Sequence, residues 1–118
     1  MSGPSVDKQG VLVVEDEMLI NMMIEDMLME LGHKVICATS LEQALGQVEA
    51  GGFDLAIIDL NLNGVPSYAV VDALQARGTP FIIATGYGER GLPEKYANAP
   101  LLPKPFDLEK LKKTLAQL

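Results

Sequence analysis

The chain has 118 residues, of which 48% are apolar, and a formal net charge of −7. This length suits one domain with a single hydrophobic core, and the apolar content excludes a disordered chain. The negative charge argues against binding to nucleic acid or to an anionic membrane. One cysteine, Cys37, allows no internal disulfide, and no apolar run approaches the ~20 residues of a membrane span, so we expect a cytoplasmic protein.

The first residues of the chain differ from the rest. Residues 1–9 lack the apolar core of a signal peptide, and we expect them to form a flexible N-terminus. Residues 10–118 are expected to form one domain, with no second domain after the last predicted helix. We expect this domain to be a monomer.

Five short apolar segments have the composition of buried strands. Apolar residues follow one another in these segments without alternation, which is typical of strands covered on both faces of a parallel sheet. The five predicted strands are residues 11–14, 35–38, 55–59, 81–84 and 101–103.

Helical spacing of apolar residues separates most of these strands. In the first helix, the spacing of Ile20, Ile24 and Leu28 indicates the buried face, and Gly32 is a plausible stop. Ser40 is predicted to cap the second helix, and Asp107 the last one. Pro66 is predicted to open the third helix, because proline suits the first helical position.

The alternation of strands and helices predicts a parallel sheet with right-handed crossovers. The fold class is therefore α/β, a flavodoxin-like doubly wound sheet with strand order 2-1-3-4-5. One segment departs from the alternation. Residues 87–99 contain Gly88, Gly91 and Pro93 with little amphipathic pattern, and this predicts a poorly formed fourth helix.

Polar residues follow the strands where their carboxyl ends meet one edge of the predicted sheet. Glu15 and Asp16 follow the first strand, Asp59 the third, Thr85 the fourth and Lys104 the fifth. Clustered carboxylates repel one another, and a hard divalent cation such as Mg²⁺ relieves that repulsion. A lysine and a hydroxyl nearby can bind phosphoryl oxygens. The pattern predicts acyl-phosphate chemistry on a carboxylate nucleophile.

With these motifs in place, the chain resembles the receiver domains of bacterial two-component response regulators. The resemblance covers nearly the whole chain and is carried by residues 13–17, 54–59, 84–86 and 104–106. It implies that the chain is a phosphoacceptor regulator and not a turnover enzyme. It also implies a histidine kinase or phosphotransfer protein as donor, and a downstream partner that the sequence does not identify.

The resemblance implies a role for each residue of the predicted metal site. Mg²⁺ is expected on Asp16, on Asp59 and on the backbone carbonyl of Asn61. Glu15 is expected to act on the metal through water.

The resemblance likewise implies how the phosphoryl group is bound. Asp59 is the expected phosphoacceptor, and Thr85 and Lys104 are expected to bind the phosphoryl oxygens. The bond between Lys104 and Pro105 is expected to be cis, which directs the ammonium toward Asp59.

Two departures from the family pattern point to a subgroup. The usual Met-Pro after the phosphoacceptor is replaced by Asn61-Leu62-Asn63-Gly64, and the usual aromatic switch residue is Leu101. With residues 83–88, these departures resemble the FATGUY receivers, which are mostly single-domain and tied to stress signalling. Gly86 and Tyr87 of this motif are the predicted switch residues beside Thr85.

A stripe of methionines lies opposite the predicted core side of the first helix. Met18, Met22 and Met29 cluster when the helix is projected at ~100° per residue. Exposed methionine is adaptable and common at partner surfaces. We expect this stripe to contact the helical bundle of a kinase.

Parts of this pattern also fit three other interpretations. Residues 59–64 match half of a calcium-binding EF-hand loop, but Val70 occupies the twelfth position, where glutamate is required. A phosphatase or phosphotransferase with an aspartate nucleophile usually has a second acid two residues later, where this chain has Asn61. A pseudo-receiver that binds partners without phosphorylation is disfavoured because the acids, the threonine and the lysine are intact.

Overall fold

The computed structural model describes residues 10–86, 96 and 98–118. The described strands are β1 (Gly10–Val14), β2 (Lys34–Ala38), β3 (Leu55–Asp59), β4 (Asn61–Leu62), β5 (Val65–Pro66), β6 (Phe81–Thr85) and β7 (Leu101–Pro103). The described helices are α1 (Met18–Glu30), α2 (Leu41–Ala50), α3 (Tyr68–Ala76) and α4 (Leu108–Leu115).

The main sheet is parallel and has the order β2-β1-β3-β6-β7. Apolar side chains of α2 and α3 cover one face, and those of α1 and α4 cover the other. This arrangement confirms the predicted flavodoxin-like doubly wound fold. The observed order is the predicted order 2-1-3-4-5, because β6 and β7 are the predicted fourth and fifth strands. Their numbers are higher only because the short strands β4 and β5 precede them in the chain.

Several predicted helix boundaries have a clear physical cause in the structure. Ser40 Oγ accepts a hydrogen bond from Gln43 N at 3.1 Å, and Asp107 Oδ1 accepts one from Lys110 N at 2.9 Å. Each cap satisfies a backbone donor that has no partner within its helix. Gly32 follows α1 with a φ of 93°, the left-handed conformation that ends many helices.

The prediction that Pro66 opens the third helix is wrong. Pro66 lies in β5 opposite Asn61 of β4, and these two strands form a separate antiparallel ribbon. A proline is tolerated there because a short edge strand needs few backbone donors. Ser67 is the N-cap residue, and α3 begins at Tyr68.

The predicted flexible N-terminus, residues 1–9, lies outside the described residues. Of residues 87–99, where a poorly formed fourth helix is predicted, the structure describes only residues 96, 98 and 99. Within the described part of the chain, no helix combines the length and the apolar character that crossing a membrane requires.

Candidate functional site

Three acids meet at the carboxyl edge of the sheet. Glu15 and Asp16 follow β1, Asp59 ends β3, and the two strands pair in parallel with Val14 opposite Ile58. One carboxylate oxygen from each acid lies within 4.8 Å of the others. The strand register therefore brings together the three acids that the sequence pattern placed at one edge.

Lys104 reaches this cluster from the end of β7. Its backbone N–H donates to the carbonyl of Thr85 at 3.0 Å, and this hydrogen bond holds the Lys104 backbone beside the end of β6. Its Nζ donates to Glu15 Oε1 at 2.7 Å and to Asp59 Oδ2 at 3.2 Å. The Lys104–Pro105 peptide bond is cis. One ammonium thus bridges two of the three acids.

The ion pair is largely shielded from solvent. The side chains of Lys104, Glu15 and Asp59 are 19%, 1% and 12% exposed. Burial raises the pKa of the Glu15 carboxyl above 4.5, and the charge of Asp59 adds to this effect, although hydrogen bonds from Lys104 and from Glu17 N–H oppose it. Burial alone would lower the pKa of Lys104, but Glu15 and Asp59 outweigh it and hold that pKa above 10.5.

The β4–β5 ribbon lies against the same acids. The backbone N–H of Asn61 donates to Asp59 Oδ1 at 3.1 Å, and that of Asn63 donates to Asp16 Oδ2 at 3.0 Å. Ser67 Oγ donates to the backbone carbonyl of Asp59 at 2.6 Å. The sequence analysis did not identify this support, although Asn63-Gly64 between two apolar residues is a strong hairpin signal.

An open cleft of about 1230 Å³ lies over the acids. Its lining includes Asp16, Asp59, Thr85, Gly86 and Lys104. Thr85 is 4% exposed and lies opposite Pro103 in the paired strands β6 and β7. The cleft therefore combines carboxylates, a hydroxyl-bearing side chain and an ammonium around a space open to solvent.

The donor set suits a hard cation. The carboxylate oxygens of Asp16 and Asp59 are ligands of the kind that Mg²⁺ prefers. The clustered acids carry more negative charge than Lys104 neutralises, so a divalent ion would relieve their repulsion.

The predicted methionine stripe is exposed on α1. Met18, Met22 and Met29 are 66%, 53% and 58% exposed. Leu19 and Met23 extend this apolar surface, and the helical projection did not include them.

Tyr87, which was predicted with Gly86 to be a switch residue, lies outside the described residues.

Two buried polar residues near the site were not predicted. Asn21 of α1 donates from Nδ2 to the carbonyl of Glu15 at 2.9 Å, and its spacing from Ile24 and Leu28 could have placed it on the buried face. Tyr96 is 1% exposed, and its ring stacks on Tyr68 with centroids 5.6 Å apart. No local pattern reveals that contact, because it joins residues 28 positions apart.

Comparisons with known proteins agree on one family. The sequence profile of the response regulator receiver domain matches residues 11–116. The solution structure of SdrG from Sphingomonas melonis Fr1 is 40% identical, with a TM-score of 0.84 over 93% of this chain and 95% of that chain. The receiver domain of sensor histidine kinase PA1611 from Pseudomonas aeruginosa PAO1, which has a magnesium ion coordinated in its active-site cleft, is 28% identical, with a TM-score of 0.81 over 93% and 96% of the two chains.

A curated relative has a similar length. The probable chemotaxis protein CheY of Rhizobium etli is 30% identical over 114 residues, which are 90% of this chain and 88% of that protein. Other curated relatives are longer, and the chain spans 17% and 36% of the lengths of two of them. With the fold, the acidic cluster and the matched profile in agreement, the chain belongs to the family of response regulator receiver domains.

Proposed function

We propose that this receiver domain takes a phosphoryl group onto Asp59, with Mg²⁺ bound beside it, and then changes conformation to regulate a partner protein. The observation that carries the proposal is the bridge from Lys104 Nζ to Glu15 at 2.7 Å and to Asp59 at 3.2 Å, at the edge where Asp16 also lies. The Asp59 carboxylate therefore has the Lys104 ammonium and two further acids as neighbours.

In the proposal, Asp16, Asp59 and the backbone carbonyl of Asn61 hold Mg²⁺, and Glu15 acts on it through water. The oxygens of Glu15 already accept hydrogen bonds from Lys104 Nζ and from Glu17 N–H, which favours an indirect role. When bound, Mg²⁺ would offset the charge of the acids and of the incoming phosphoryl oxygens.

The proposed transfer forms a bond from an Asp59 carboxylate oxygen to phosphorus. The donor is a phosphohistidine of a kinase or phosphotransfer protein, so its P–N bond breaks and the leaving imidazole takes up a proton from solvent. Lys104 Nζ and the Thr85 hydroxyl donate to the phosphoryl oxygens. We propose that the phosphoryl group stays on Asp59 as a signal, so that the protein acts as a regulator and not as a turnover enzyme.

We also propose that this domain belongs to the FATGUY subgroup of receivers. Residues 83–88 and the aliphatic Leu101 support membership of the FATGUY receivers and a role in stress signalling. Gly86 and Tyr87 are the proposed switch residues of that motif.

We further propose that the exposed methionines of α1 contact the donor protein. Met18, Met22 and Met29 offer flexible apolar side chains beside Glu25 and the exposed Asp26. Such a surface suits a helical bundle that presents apolar side chains edged by basic ones.

Intact-mass measurement after incubation with acetyl phosphate and Mg²⁺ tests the proposed function. The wild-type protein should gain the mass of one phosphoryl group, Asp59→Asn should gain none, and the matched surface variant Asp26→Asn should behave like wild type. Rapid release of phosphate without an adduct would indicate a phosphatase. An unmodified wild-type protein would indicate a pseudo-receiver.

A further inference from the structure

We propose that the β4–β5 hairpin, residues 61–66, is a positioning element that orients both metal-site aspartates for the cation. The inference rests on the proposed function, because it concerns how this chain prepares that site for Mg²⁺. The hairpin directly follows Asp59, the last residue of β3.

Two hydrogen bonds connect the hairpin to the two aspartates. Asn61 N–H donates to Asp59 Oδ1 at 3.1 Å, and Asn63 N–H donates to Asp16 Oδ2 at 3.0 Å. Asp16 and Asp59 lie 43 positions apart in the chain, yet donors two residues apart hold one oxygen of each. The spacing of the two N–H groups therefore sets how the two carboxylates lie relative to each other.

The turn of the hairpin fixes that spacing. Asn63 and Gly64 have φ values of 55° and 83°, the consecutive left-handed residues of a type I′ turn. Asn61 Oδ1 accepts a hydrogen bond from Gly64 N–H at 2.6 Å, which closes the turn from inside. The Asn61 side chain thus acts on Asp16 only indirectly, by keeping the Asn63 N–H in place.

The base of the hairpin is anchored in the fold. Leu62 is 2% exposed within the core that α2 and α3 share with the sheet. Ser67 Oγ donates to the carbonyl of Asp59, and Ser67 N–H donates to the carbonyl of Leu60 at 3.0 Å. A buried anchor and a closed turn make the hairpin a rigid support for the acids.

A preorganised pair of carboxylates loses less freedom when a cation binds. In each aspartate, the hairpin N–H binds only one of the two carboxylate oxygens. The second oxygen of Asp59 lies 3.2 Å from Lys104 Nζ. Loosening the turn should therefore weaken Mg²⁺ binding even though no charged ligand is removed.

The test compares Mg²⁺ dissociation constants from isothermal titration calorimetry. Asn61→Ala removes the acceptor that closes the turn but retains the backbone groups, and Gly64→Ala strains the turn independently. Both variants should bind Mg²⁺ about 10-fold more weakly, the size of effect seen for residues that orient metal ligands. Gly46→Ala, a matched glycine substitution at an exposed position of α2 outside the hairpin, should bind like wild type.

Amide hydrogen exchange of the metal-free proteins separates positioning from a general loss of stability. The Asn63 amide should be protected in wild type and in Gly46→Ala and exchange faster in Asn61→Ala, while amides of β1 and β3 keep their protection. The inference is overturned if both turn variants bind Mg²⁺ like wild type, or if weaker binding appears only with loss of protection across the sheet. The proposed function fails separately, if wild-type protein binds no Mg²⁺.

Discussion

The ammonium of Lys104 lies closer to Glu15 than to Asp59, with Nζ–O distances of 2.7 Å and 3.2 Å. Glu15 is the most buried carboxylate of the site, so its negative charge depends most on this lysine. In the proposed mechanism the same ammonium must also bind the phosphoryl oxygens. The pairing with Glu15 therefore connects the stability of the unphosphorylated protein to the chemistry of the site.

The first prediction concerns this ion pair. Lys104→Met should lower the free energy of unfolding at neutral pH by about 1–3 kcal/mol, because a buried carboxylate loses its charged donor. Lys112→Met, at an exposed position of α4, should change it far less. Urea denaturation measures both variants. If Mg²⁺ occupies the acids, adding it should restore part of the loss; equal stability of the two variants would contradict the assignment.

The second prediction follows from the raised pKa of Glu15. A folded-state pKa above 4.5 means that the native state holds this proton more tightly than the unfolded chain does. The stabilisation from Glu15 is then fully present below pH 4.5 and is lost as the pH rises through the folded-state value. In EDTA, the stability of wild type relative to Glu15→Gln should fall with rising pH across that window. A difference that instead grows with pH would show that the pairing with Lys104 dominates burial.

Strand composition and order were sufficient to predict how the acids converge. Uninterrupted apolar segments indicated buried parallel strands, and the carboxyl ends of such strands share one edge. The partner of Lys104 was harder to predict, because Glu15 was assigned a water-mediated role at the metal. Which of several neighbouring acids a flexible lysine contacts depends on side-chain packing within a few ångströms, and sequence spacing does not determine that.

The hairpin and Tyr96 show two different limits of sequence analysis. The turn signal at Asn63-Gly64 is local and could have been recognised, but Pro66 was interpreted as a helix start. Tyr96 belongs to a segment without periodic pattern, and its burial depends on Tyr68 and on Asp72, whose Oδ1 accepts its hydroxyl hydrogen bond at 2.5 Å. Only the assembled fold brings these three residues together.

A third prediction tests the proposed docking surface. Met22→Lys should slow phosphoryl transfer from the histidine kinase, since a charge replaces an exposed apolar contact on α1. Leu45→Lys, an exposed apolar position of α2, is the matched control and should transfer at the wild-type rate. Modification by acetyl phosphate should be unchanged in both variants. A loss of Met22→Lys activity with both donors would indicate damage to the fold instead.

The last prediction concerns the switch. Thr85 ends β6 next to Gly86, and its carbonyl accepts a hydrogen bond from Lys104 N–H, so the two residues proposed to bind the phosphoryl group are joined through their backbones. Binding of both side chains to that group would draw the end of β6 toward Asp59. A ligand shifts such an equilibrium only through its different affinity for the two conformations, and we expect the Thr85 hydroxyl to supply that difference.

Hydrogen exchange over residues 86–99, with and without beryllofluoride and Mg²⁺, measures this coupling. Wild type should show a change in protection on binding the phosphoryl mimic, and Thr85→Ser, which retains the hydroxyl, should show most of it. Thr85→Ala should still bind the mimic at Asp59 but lose the change, because the hydrogen bond that connects the phosphoryl group to β6 is absent. If Thr85→Ala shows the full wild-type change, coupling must run through Lys104 alone, and the role proposed for Thr85 is wrong.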